Sequence, residues 1–404
     1  MALYAYRVAA EARQTASALA ATEPVLARAQ HLSQIDGLAA AAAHELGTPL
    51  ATVASRPTSR RAWRRIGLDW TRRRSMISAD AKAGGQSMTA IRGHIKPERR
   101  PGALGVHSLD HFHFVVPDLS AAESFYSEFG LTVSPQGKAL GLGTEGASHI
   151  WGTIGEGPRK KHQYMSFGAF EDDIDRFAER LQEMRITRLD PPAGIESNGL
   201  WLHDHDGNLV EIAVAPKTSP SEKSEFGFTS VGPGERGAPF RRAVERTHPR
   251  RLAHVLMFTR DVSKAIDFYT NVLGVRLSDR SGDGIAFLHG IHGSDHHLVA
   301  FAKSDAPGFH HLSWDVGSVD EIGVGAMHML GKGHSRGWGL GRHVLGSNYF
   351  HYVRDPWGSY CEYSAGIDYV PADLDWAAAD NAPEDSFYVW GPDPPDDFVH
   401  NYEA

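Results

Sequence analysis

The stretch LDHFHFVVPDLSAAESFYSEFGLTV (residues 109–133) returns in altered form as LAHVLMFTRDVSKAIDFYTNVLGVRL (residues 252–277). Each copy opens with alternating apolar residues, which predict a strand that is buried on one face. An aspartate and a serine in positions suited to a helix N-cap come next, followed by a helical pattern with a matching Phe-Tyr pair. We therefore expect each copy to form a strand followed by a helix, and the chain to contain a tandem repeat.

Two further pairs of segments extend the repeat. HDHDGNLVEI (203–212) lines up with VRDPWGSYCEY (353–363), and each predicts a glycine-containing turn that leads into a strand. KHQYMSFGAF (161–170) lines up with FHHLSWDV (309–316), and a predicted helix follows each. Each half of the chain thus contains two strand–helix–strands modules, which predicts an α+β fold of two tandem domains.

Composition indicates where these domains begin and end. Residues 216–250 are rich in proline, serine and glycine, which is typical of a linker. We expect a first domain at residues 88–215, a second at 251–370, and an acidic aromatic tail at 371–404 that packs on the body. Residues 1–87 precede the repeat as an extension that is helical or disordered.

Overall composition excludes several classes of protein. The chain has 404 residues, a hydrophobic fraction of 41%, a single cysteine and a formal net charge of −8. That hydrophobic fraction excludes a chain disordered throughout, and one cysteine excludes an internal disulfide framework. The acidic charge lies in the repeat and argues against nucleic acid as the main partner. No apolar run is long enough for a membrane span and no secretory signal opens the sequence, so we expect a cytoplasmic protein without a membrane partner.

The extension differs from the repeat. Its segment AAAAAHELGTPLATVA (39–54) resembles the phosphoacceptor helix of two-component sensor histidine kinases, closest to the redox-sensing branch. The resemblance implies that His44 would accept a phosphoryl group beside Glu45 as its acid–base neighbour. The sequence contains none of the Asn- and Gly-rich boxes of the kinase ATP-binding domain.

An arginine-rich run, SRPTSRRAWRRIGLDWTRRRS (55–75), follows this segment. It shows neither a heptad nor an alternating pattern, which predicts a disordered basic linker, with a nucleic-acid-binding patch as the alternative. A further hypothesis is that residues 1–87 are a fused gene fragment and that Met88 resembles the natural start. That hypothesis predicts full activity for a chain that begins at Met88.

Three residues of the second half could bind a metal ion. His254 lies on its first predicted strand, His311 at the start of another, and Glu362 on the last. Taken singly, each is more often packed or solvated than a ligand, so the prediction depends on the set. Two imidazoles and one carboxylate leave coordination positions open, which suits ferrous iron that binds an organic substrate and O2. The same donors also allow Mn(II) or Zn(II).

The motif around Glu362 connects this set to a known family. HVLGSNYFHYVRDPWGSYCEY (343–363) resembles the signature of the type I extradiol ring-cleaving dioxygenases, which belong to the vicinal-oxygen-chelate superfamily and are built from βαβββ modules. The resemblance extends over about residues 105–370. One position departs from the family pattern: His351 replaces a large apolar residue, and we expect its side chain to point away from the metal.

The resemblance implies an Fe(II)-dependent dioxygenase that cleaves a catechol-type diol with O2 and gives a ring-opened semialdehyde-type product in aromatic catabolism. It implies metal ligands at His254, His311 and Glu362, an acid–base histidine at His297, and substrate-contacting residues at His343 and Tyr352. Related enzymes form oligomers, so a homo-oligomer is expected. Another metalloenzyme of the superfamily, an isomerase or lyase, is the alternative function, and a histidine phosphotransfer protein is a more distant one.

Two histidine pairs each leave a choice open. Only one side chain of a pair can face the metal side of its strand, because successive side chains point to opposite faces. The pattern HHLSW favours His311 over His310, and HHLVAF favours His297 over His296.

The first half offers a comparison within the same chain. Its counterparts of the three metal ligands are His111, Tyr164 and Glu211, so that tyrosine replaces the central histidine. We therefore expect this half to have lost the metal and to serve a structural role.

Two glycine-rich segments and the cysteine carry further predictions. RGWGLGR (336–342) predicts a mobile loop leading to His343. GLGTEG (141–146) fits the GxGxxG pattern, but no helix start follows it, so we expect no dinucleotide site there. Cys361 should lie on the opposite face of its strand from Glu362, as a small core residue.

Overall fold

A computed structural model of the chain describes residues 98–228 and 230–404. The predictions for the extension, which concern the kinase-like helix with His44 and the arginine-rich run, lie outside the described residues. Both halves of the predicted repeat lie within them.

The first half begins with a strand and a capped helix. Its strands are β1 (Ser108–Val116), β2 (Thr132–Gln136), β3 (Ala139–Gly143), β4 (Ile150–Glu156), β5 (Lys161–Ala169), β6 (Leu200–His203) and β7 (Leu209–Val214). Its helices are α1 (Leu119–Phe129) and α2 (Ile174–Glu183), with a 3-10 turn (Glu171–Asp173) before α2. Asp118 caps α1 by accepting a hydrogen bond from the Ala121 backbone N–H, and the helix ends at Gly130, whose φ of 107° favours glycine.

The second half repeats this arrangement. Its strands are β8 (Arg251–Thr259), β9 (Arg276–Ser281), β10 (Ile285–His289), β11 (Ser294–Asp295), β12 (Val299–Lys303), β13 (Gly308–Asp315), β14 (Gly337–His343), β15 (Tyr349–Arg354) and β16 (Tyr360–Ala365). Its helices are α3 (Val262–Phe268), which continues as a π-helical turn (Tyr269–Leu273), and α4 (Val319–Gly331). Asp261 caps α3 through the Lys264 backbone N–H, as Asp118 caps the matching helix of the first half.

The connecting and C-terminal segments contain short elements. These are a 3-10 turn between the halves (Arg241–Ala243), then β17 (Tyr369–Val370), β18 (Ala379–Asp380), a 3-10 turn (Pro383–Asp385) and β19 (Tyr388–Trp390).

Each half forms one large sheet. The strand order is β2-β3-β4-β1-β5-β7-β6 in the first half and β18-β9-β10-β12-β8-β13-β16-β15-β14-β19 in the second, while β11 and β17 pair separately. In each half the opening strands of the two modules, β1 with β5 and β8 with β13, are antiparallel neighbours. This arrangement confirms the predicted α+β fold of two tandem domains.

The registers of the central strands identify equivalent positions in the two halves. In both, a serine pairs with a histidine on one neighbouring strand and with a glutamate on the other. The two sets are His111, Ser166 and Glu211 in the first half and His254, Ser313 and Glu362 in the second. Two positions before the serine stands Tyr164 in the first half and His311 in the second.

The last module differs between the halves. In the first half, the counterpart of β14 is reduced to a single bridge between Leu189 and Trp201. In the second half, the segment RGWGLGR belongs to β14, so the prediction of a mobile loop is wrong. This strand pairs with β15 on one side and β19 on the other. Its glycines permit close packing, because a Cβ at Gly337 would lie 2.0 Å from the Tyr352 backbone oxygen.

The halves pack against each other through aromatic rings and a buried ion pair. Phe129 of α1 stacks on Tyr363 of β16, with ring centroids 3.9 Å apart. The Lys160 ammonium of the first half pairs with Asp355 of the second, and both side chains are almost fully buried. Because Asp355 opens the turn before β16, the first half supports the strand that carries Glu362.

The C-terminal segment packs on the second half. β18 pairs with β9, and β19 pairs with β14. Phe398 is buried against the rings of Trp338, Tyr352 and Tyr360. The segment therefore extends the second sheet at both edges and covers aromatic side chains of β14, β15 and β16.

In the part of the chain that the structure describes, every helix is too short or too polar to cross a membrane.

Candidate active site

The three predicted metal ligands converge on one point of the second sheet. They lie on the neighbouring strands β8, β13 and β16. The Nε2 atoms of His254 and His311 are 3.3 Å apart, and Glu362 Oε2 lies 3.3 Å from the first and 3.6 Å from the second. All three side chains are buried. Within residues 98–228 and 230–404, no other group of His, Cys, Asp or Glu has a geometry that could hold a metal ion.

These donor atoms fit a divalent transition-metal ion. Metal–ligand bonds of about 2.0–2.2 Å, at angles of roughly 90–120°, place neighbouring donors about 3.0–3.7 Å apart. Glu362 Oε2 is buried without a hydrogen bond, which is costly for a carboxylate unless a cation lies beside it. Two imidazole nitrogens and one carboxylate oxygen suit Fe(II), Mn(II) or Zn(II), and three protein ligands leave positions for other molecules.

The neighbouring His310 determines which nitrogen of His311 is available. Burial lowers the pKa of His310 to about 4, so this ring is neutral and has one N–H. Its Nε2 lies 2.7 Å from the Phe398 carbonyl oxygen and must donate, since a carbonyl only accepts. Its Nδ1, 2.7 Å from His311 Nδ1, must therefore accept a hydrogen bond from the His311 N–H. His311 is left with a lone pair on Nε2, directed at His254 and Glu362, and it is His311 rather than His310 that lies at this centre.

Burial also keeps His311 itself neutral. It lowers the pKa of His311 well below the ordinary value, and the neighbouring His310 and His254 lower it further. A neutral imidazole is the form that binds a metal ion.

His297 lies beside the predicted metal ligands and lines a cavity next to them. Its ring centroid is 4.0 Å from that of His254. Burial lowers the pKa of His297 well below its ordinary value, and His254 and His296 add to the effect, so the ring is neutral. The adjacent His296 points instead to Asp279, with Nε2 2.9 Å from Oδ2. The structure thus places His297, rather than His296, at the cavity.

Tyr352 and His343 form a hydrogen-bonded pair next to Glu362. His343 Nδ1 is 2.8 Å from the Phe387 carbonyl oxygen and donates to it. His343 Nε2 then accepts from the Tyr352 hydroxyl, 2.9 Å away. Burial raises the pKa of Tyr352 well above its ordinary value, and the charge of Glu362 raises it further, so the hydroxyl keeps its proton.

A cavity of about 850 Å³ opens onto these groups. Its wall is mostly aliphatic and aromatic, from Leu256, Ile285, Phe287, Ala302 and Leu345 of the second half and Phe387, Phe398 and Val399 of the C-terminal segment. Lys303 also lines it, and its ammonium donates to the Arg260 backbone carbonyl. The cavity can hold a small, mainly apolar molecule beside the metal ligands.

Sequence reasoning missed three residues that orient the side chains of the site. Asn348 donates a hydrogen bond to Glu362 Oε1 at 3.1 Å and so orients the carboxylate. Its place inside the motif 343–363, just before β15, is the signal that could have revealed it. Phe387 and Phe398 act through their backbone carbonyls, which every residue has, so no sequence signal marks them.

His351 and Cys361 lie outside the ligand set. Neither lines the cavity. Cys361 is 1% exposed and belongs to the hydrophobic core, on the strand position next to Glu362. Both placements agree with strand alternation.

The equivalent positions of the first half are occupied by local hydrogen bonds. His111 Nδ1 lies 2.7 Å from Asp110 Oδ2, and Glu211 Oε1 accepts from the Ser197 hydroxyl. Burial raises the pKa of Tyr164 to about 12, so its phenol is a poor ligand. The other two potential ligands, His111 and Glu211, are thus hydrogen-bonded to neighbouring side chains.

Comparison with known families gives the same division of the chain. The model of the Glyoxalase/Bleomycin resistance protein/Dioxygenase superfamily matches residues 108–212 and 251–363. The chain belongs to this superfamily. The two matched segments coincide with the two halves, which confirms the predicted repeat and the predicted superfamily.

Several relatives within this superfamily are dioxygenases by name. The chain is 51% identical over 308 residues to Metapyrocatechase 2 of Cupriavidus necator, covering 76% of this chain and 96% of that protein. It is 29% identical over 230 residues to the iron-dependent extradiol dioxygenase of Rhodococcus jostii, covering 54% and 67%. These relatives confirm the predicted resemblance to extradiol dioxygenases.

A solved structure and a short segment complete the comparison. Homoprotocatechuate 2,3-dioxygenase from Brevibacterium fuscum superposes with a TM-score of 0.59 at 19% identity, covering 74% of this chain and 94% of that one, which shows the fold alone. A segment of 51 residues is 57% identical to the sensor histidine kinase RegB of Cereibacter sphaeroides, covering 13% of this chain and 11% of the kinase. The predicted kinase resemblance is confirmed over that short length.

Proposed function

We propose that this protein is an Fe(II)-dependent extradiol dioxygenase. With O2 it opens a catechol-type ring at the bond beside the two hydroxyls and gives a ring-opened semialdehyde-type product. The observation that carries the proposal is the convergence of His254, His311 and Glu362 beside His297, next to one cavity. Similarity to Metapyrocatechase 2 over nearly the whole length of that protein supports the same class of reaction.

Fe(II) is the metal that this reaction favours. His254, His311 and Glu362 would hold it, and the same donors accept Mn(II) less favourably for this purpose. When bound, Fe(II) supplies Lewis-acid activation of the diol and electron exchange with O2. The Rhodococcus relative, which is iron-dependent by name, supports this choice.

The side chains around the metal ligands handle the protons of the diol. His297 is neutral, so it can accept a hydroxyl proton from the substrate and donate it at a later step. His343 is engaged through both ring nitrogens, so the Tyr352 hydroxyl oxygen, which can still accept a hydrogen bond, is the polar atom that this pair offers to the cavity. A substrate hydroxyl can join this pair through one hydrogen bond, which orients the ring.

The cavity wall narrows the class of substrate. Its aliphatic and aromatic side chains would contact the part of the ring that carries no hydroxyl. Burying an apolar substituent there is favourable, at about 25 cal/mol per Å². We therefore expect catechols with apolar substituents to be better substrates than carboxylated ones.

Anaerobic loading with Fe(II), followed by addition of a diol and then air, tests the proposal. Catechol, 3-methylcatechol and 3,4-dihydroxyphenylacetate form the panel, with metal-free and Mn(II)-loaded protein as controls. We expect O2 uptake and a yellow product, fastest with the apolar diols and Fe(II). No O2 uptake with any diol would contradict the proposal. Isomerase or lyase activity would indicate another reaction of the superfamily. Phosphotransfer to His44 would indicate a signalling role.

The arrangement of the chain follows from the same reasoning. We propose that residues 251–370 form the catalytic domain, residues 88–215 a non-catalytic domain without metal, and residues 216–250 the linker. Residues 371–404 complete the cavity wall. A cytoplasmic location and assembly into homo-oligomers stay predictions.

A further inference from the structure

The acid–base candidate His297 is the last member of a buried chain of hydrogen bonds. Its Nδ1 lies 3.1 Å from Nδ1 of His296, the preceding residue. Nε2 of His296 lies 2.9 Å from Oδ2 of Asp279 on β9. The exposed fractions of Asp279, His296 and His297 are 8%, 0% and 3%, so water competes little for these bonds.

The C-terminal segment fixes Asp279, the member of this series of hydrogen bonds that is farthest from the cavity. The Ala379 backbone N–H donates to Asp279 Oδ1 at 3.1 Å, and Asn381 Nδ2 donates to the same oxygen at 3.3 Å. The edge of the Trp376 ring meets His296, with centroids 5.3 Å apart. One oxygen of Asp279 is therefore committed to the segment, and the other is left for His296.

The direction of each hydrogen bond follows from the donors and acceptors. Burial opposes the charge of Asp279, but the hydrogen bond from His296 and those from the segment leave its pKa below the ordinary value, so the group is a carboxylate. A carboxylate only accepts, so His296 donates from Nε2. With a single proton on each imidazole, His296 accepts at Nδ1, and His297 donates from its own Nδ1. The lone pair of His297 lies on Nε2, the nitrogen not engaged in this chain.

We propose that Asp279 and His296 are positioning residues for the reaction, because together they hold His297 in the tautomer whose Nε2 is unprotonated and available to the substrate. The role rests on the proposed function of His297 as acid and base. The geometry supports this role, because an unbroken series of hydrogen bonds connects the C-terminal segment to the cavity through the buried side chains of Asp279, His296 and His297. General acid–base groups contribute roughly 100- to 10,000-fold to rates, so a wrong tautomer is costly.

Substitution at Asp279 should reverse the donor–acceptor direction of these hydrogen bonds. In Asp279→Asn the side-chain oxygen must still face the Ala379 N–H, so the amide NH₂ faces His296. His296 would then accept at Nε2 and donate from Nδ1, which forces the proton of His297 onto Nε2. In His296→Asn, by contrast, an oxygen acceptor stays near the position of Nδ1, while the connection to Asp279 is lost.

The tautomer itself can be measured in Zn(II)-loaded protein whose histidine rings are labelled with 15N. Loss of a signal in His297→Phe identifies His297. We expect protonation at Nδ1 in the parent protein and in His296→Asn, and at Nε2 in Asp279→Asn. Protonation at Nε2 in the parent, or an unchanged tautomer in Asp279→Asn, would overturn the proposal. Asp267→Asn, which changes an exposed carboxylate on α3 outside the cavity lining, is the matched control and should change nothing.

Kinetics of the Fe(II)-loaded protein give the second readout. We expect Asp279→Asn and His296→Leu to lower kcat on the order of 100-fold, while the iron content and the anaerobic Kd for catechol stay unchanged. The kcat of His296→Asn should stay within about tenfold of the parent value. Asp279→Asn should have no further effect when His296 is already asparagine, because the connection is absent. An equal loss in both backgrounds would mean a structural role and would overturn the proposal. The expected tautomers in a protein that consumes no O2 with any diol would support the positioning role and contradict only the proposed function.

Discussion

The two halves of this protein share a fold and a strand register but differ at the position that matters for chemistry. A histidine, a central residue and a glutamate converge in each half, and the central residue is Tyr164 in the first and His311 in the second. In the first half, His111 is hydrogen-bonded to Asp110 and Glu211 is hydrogen-bonded to Ser197. In the second half Glu362 Oε2 is buried without a hydrogen bond. Strand pairing therefore preserves the positions in both halves, and the candidate metal site of the second half differs by a carboxylate oxygen that has no hydrogen-bond partner.

The halves also differ in the residue that pairs with the glutamate on the neighbouring strand. Tyr352 pairs with Glu362 in the second half, and Trp201 occupies the matching place beside Glu211 in the first. The Trp201 ring is 1% exposed and packs on Tyr164, with centroids 4.9 Å apart. The first half thus has an indole packed on Tyr164 where the second half has a phenol that lines the cavity.

Removal of the central histidine tests the comparison most strongly. We expect His311→Ala to lose metal binding, with metal content below about a tenth of the parent and no ring cleavage, because two donors cannot replace three. Metal analysis after Fe(II) loading and dialysis measures this. Tyr164→Phe, the matched change in the first half, should leave about one metal ion per chain. Two metal ions per parent chain would contradict the assignment of a structural role to the first half.

Removal of the acid–base group should separate metal binding from turnover. We expect His297→Phe to bind iron as the parent does but to turn over roughly 100- to 10,000-fold more slowly, because its ring lies beside the ligands and is not one of them. Single-turnover O2 consumption at matched iron content gives the result. A fast His297→Phe enzyme would refute the role given to this histidine.

The structural role of the first half can be tested at the interface. Lys160→Met should lower the free energy of unfolding by about 3–5 kcal/mol, since it leaves the Asp355 carboxylate buried without its cation. Urea unfolding followed by tryptophan fluorescence measures the change. Lys138→Met, on the exposed turn between β2 and β3, should cost less than about 0.5 kcal/mol. Equal effects of the two substitutions would show that the interface does not depend on this pair.

The smallest effect is expected from the N-terminal extension. A chain that begins at Met88 should keep the kcat and KM of the full chain, because every ligand, the cavity and the interface lie within residues 98–404. Activity assays of both chains at equal iron content decide this. An insoluble or inactive shorter chain would show that residues 1–87 contribute to folding or function.

Strand pattern and turn chemistry predicted most of the fold. The caps at Asp118 and Asp261 and the alternating strands after them were readable because each depends on neighbours in sequence. The glycine-rich segment 336–342 misled, since its conformation is set by packing against β15 and β19 rather than by local preference. The carbonyls of Phe387 and Phe398 were missed because their roles depend on distant parts of the chain, whereas Asn348, 14 residues before Glu362, could have been found from its place in the motif.

By itself the sequence determined the repeat, the superfamily and the identities of the metal-binding and acid–base candidates, because these depend on residue types at set spacings. Only the tertiary structure decided which imidazole nitrogens face the cavity, how His310 and His296 hold their neighbours, and how the C-terminal segment closes the wall. Those features depend on hydrogen bonds between residues far apart in sequence, such as the 88 positions that separate His310 from Phe398. The direction of such a bond is set by burial and by the partner that folding brings within reach.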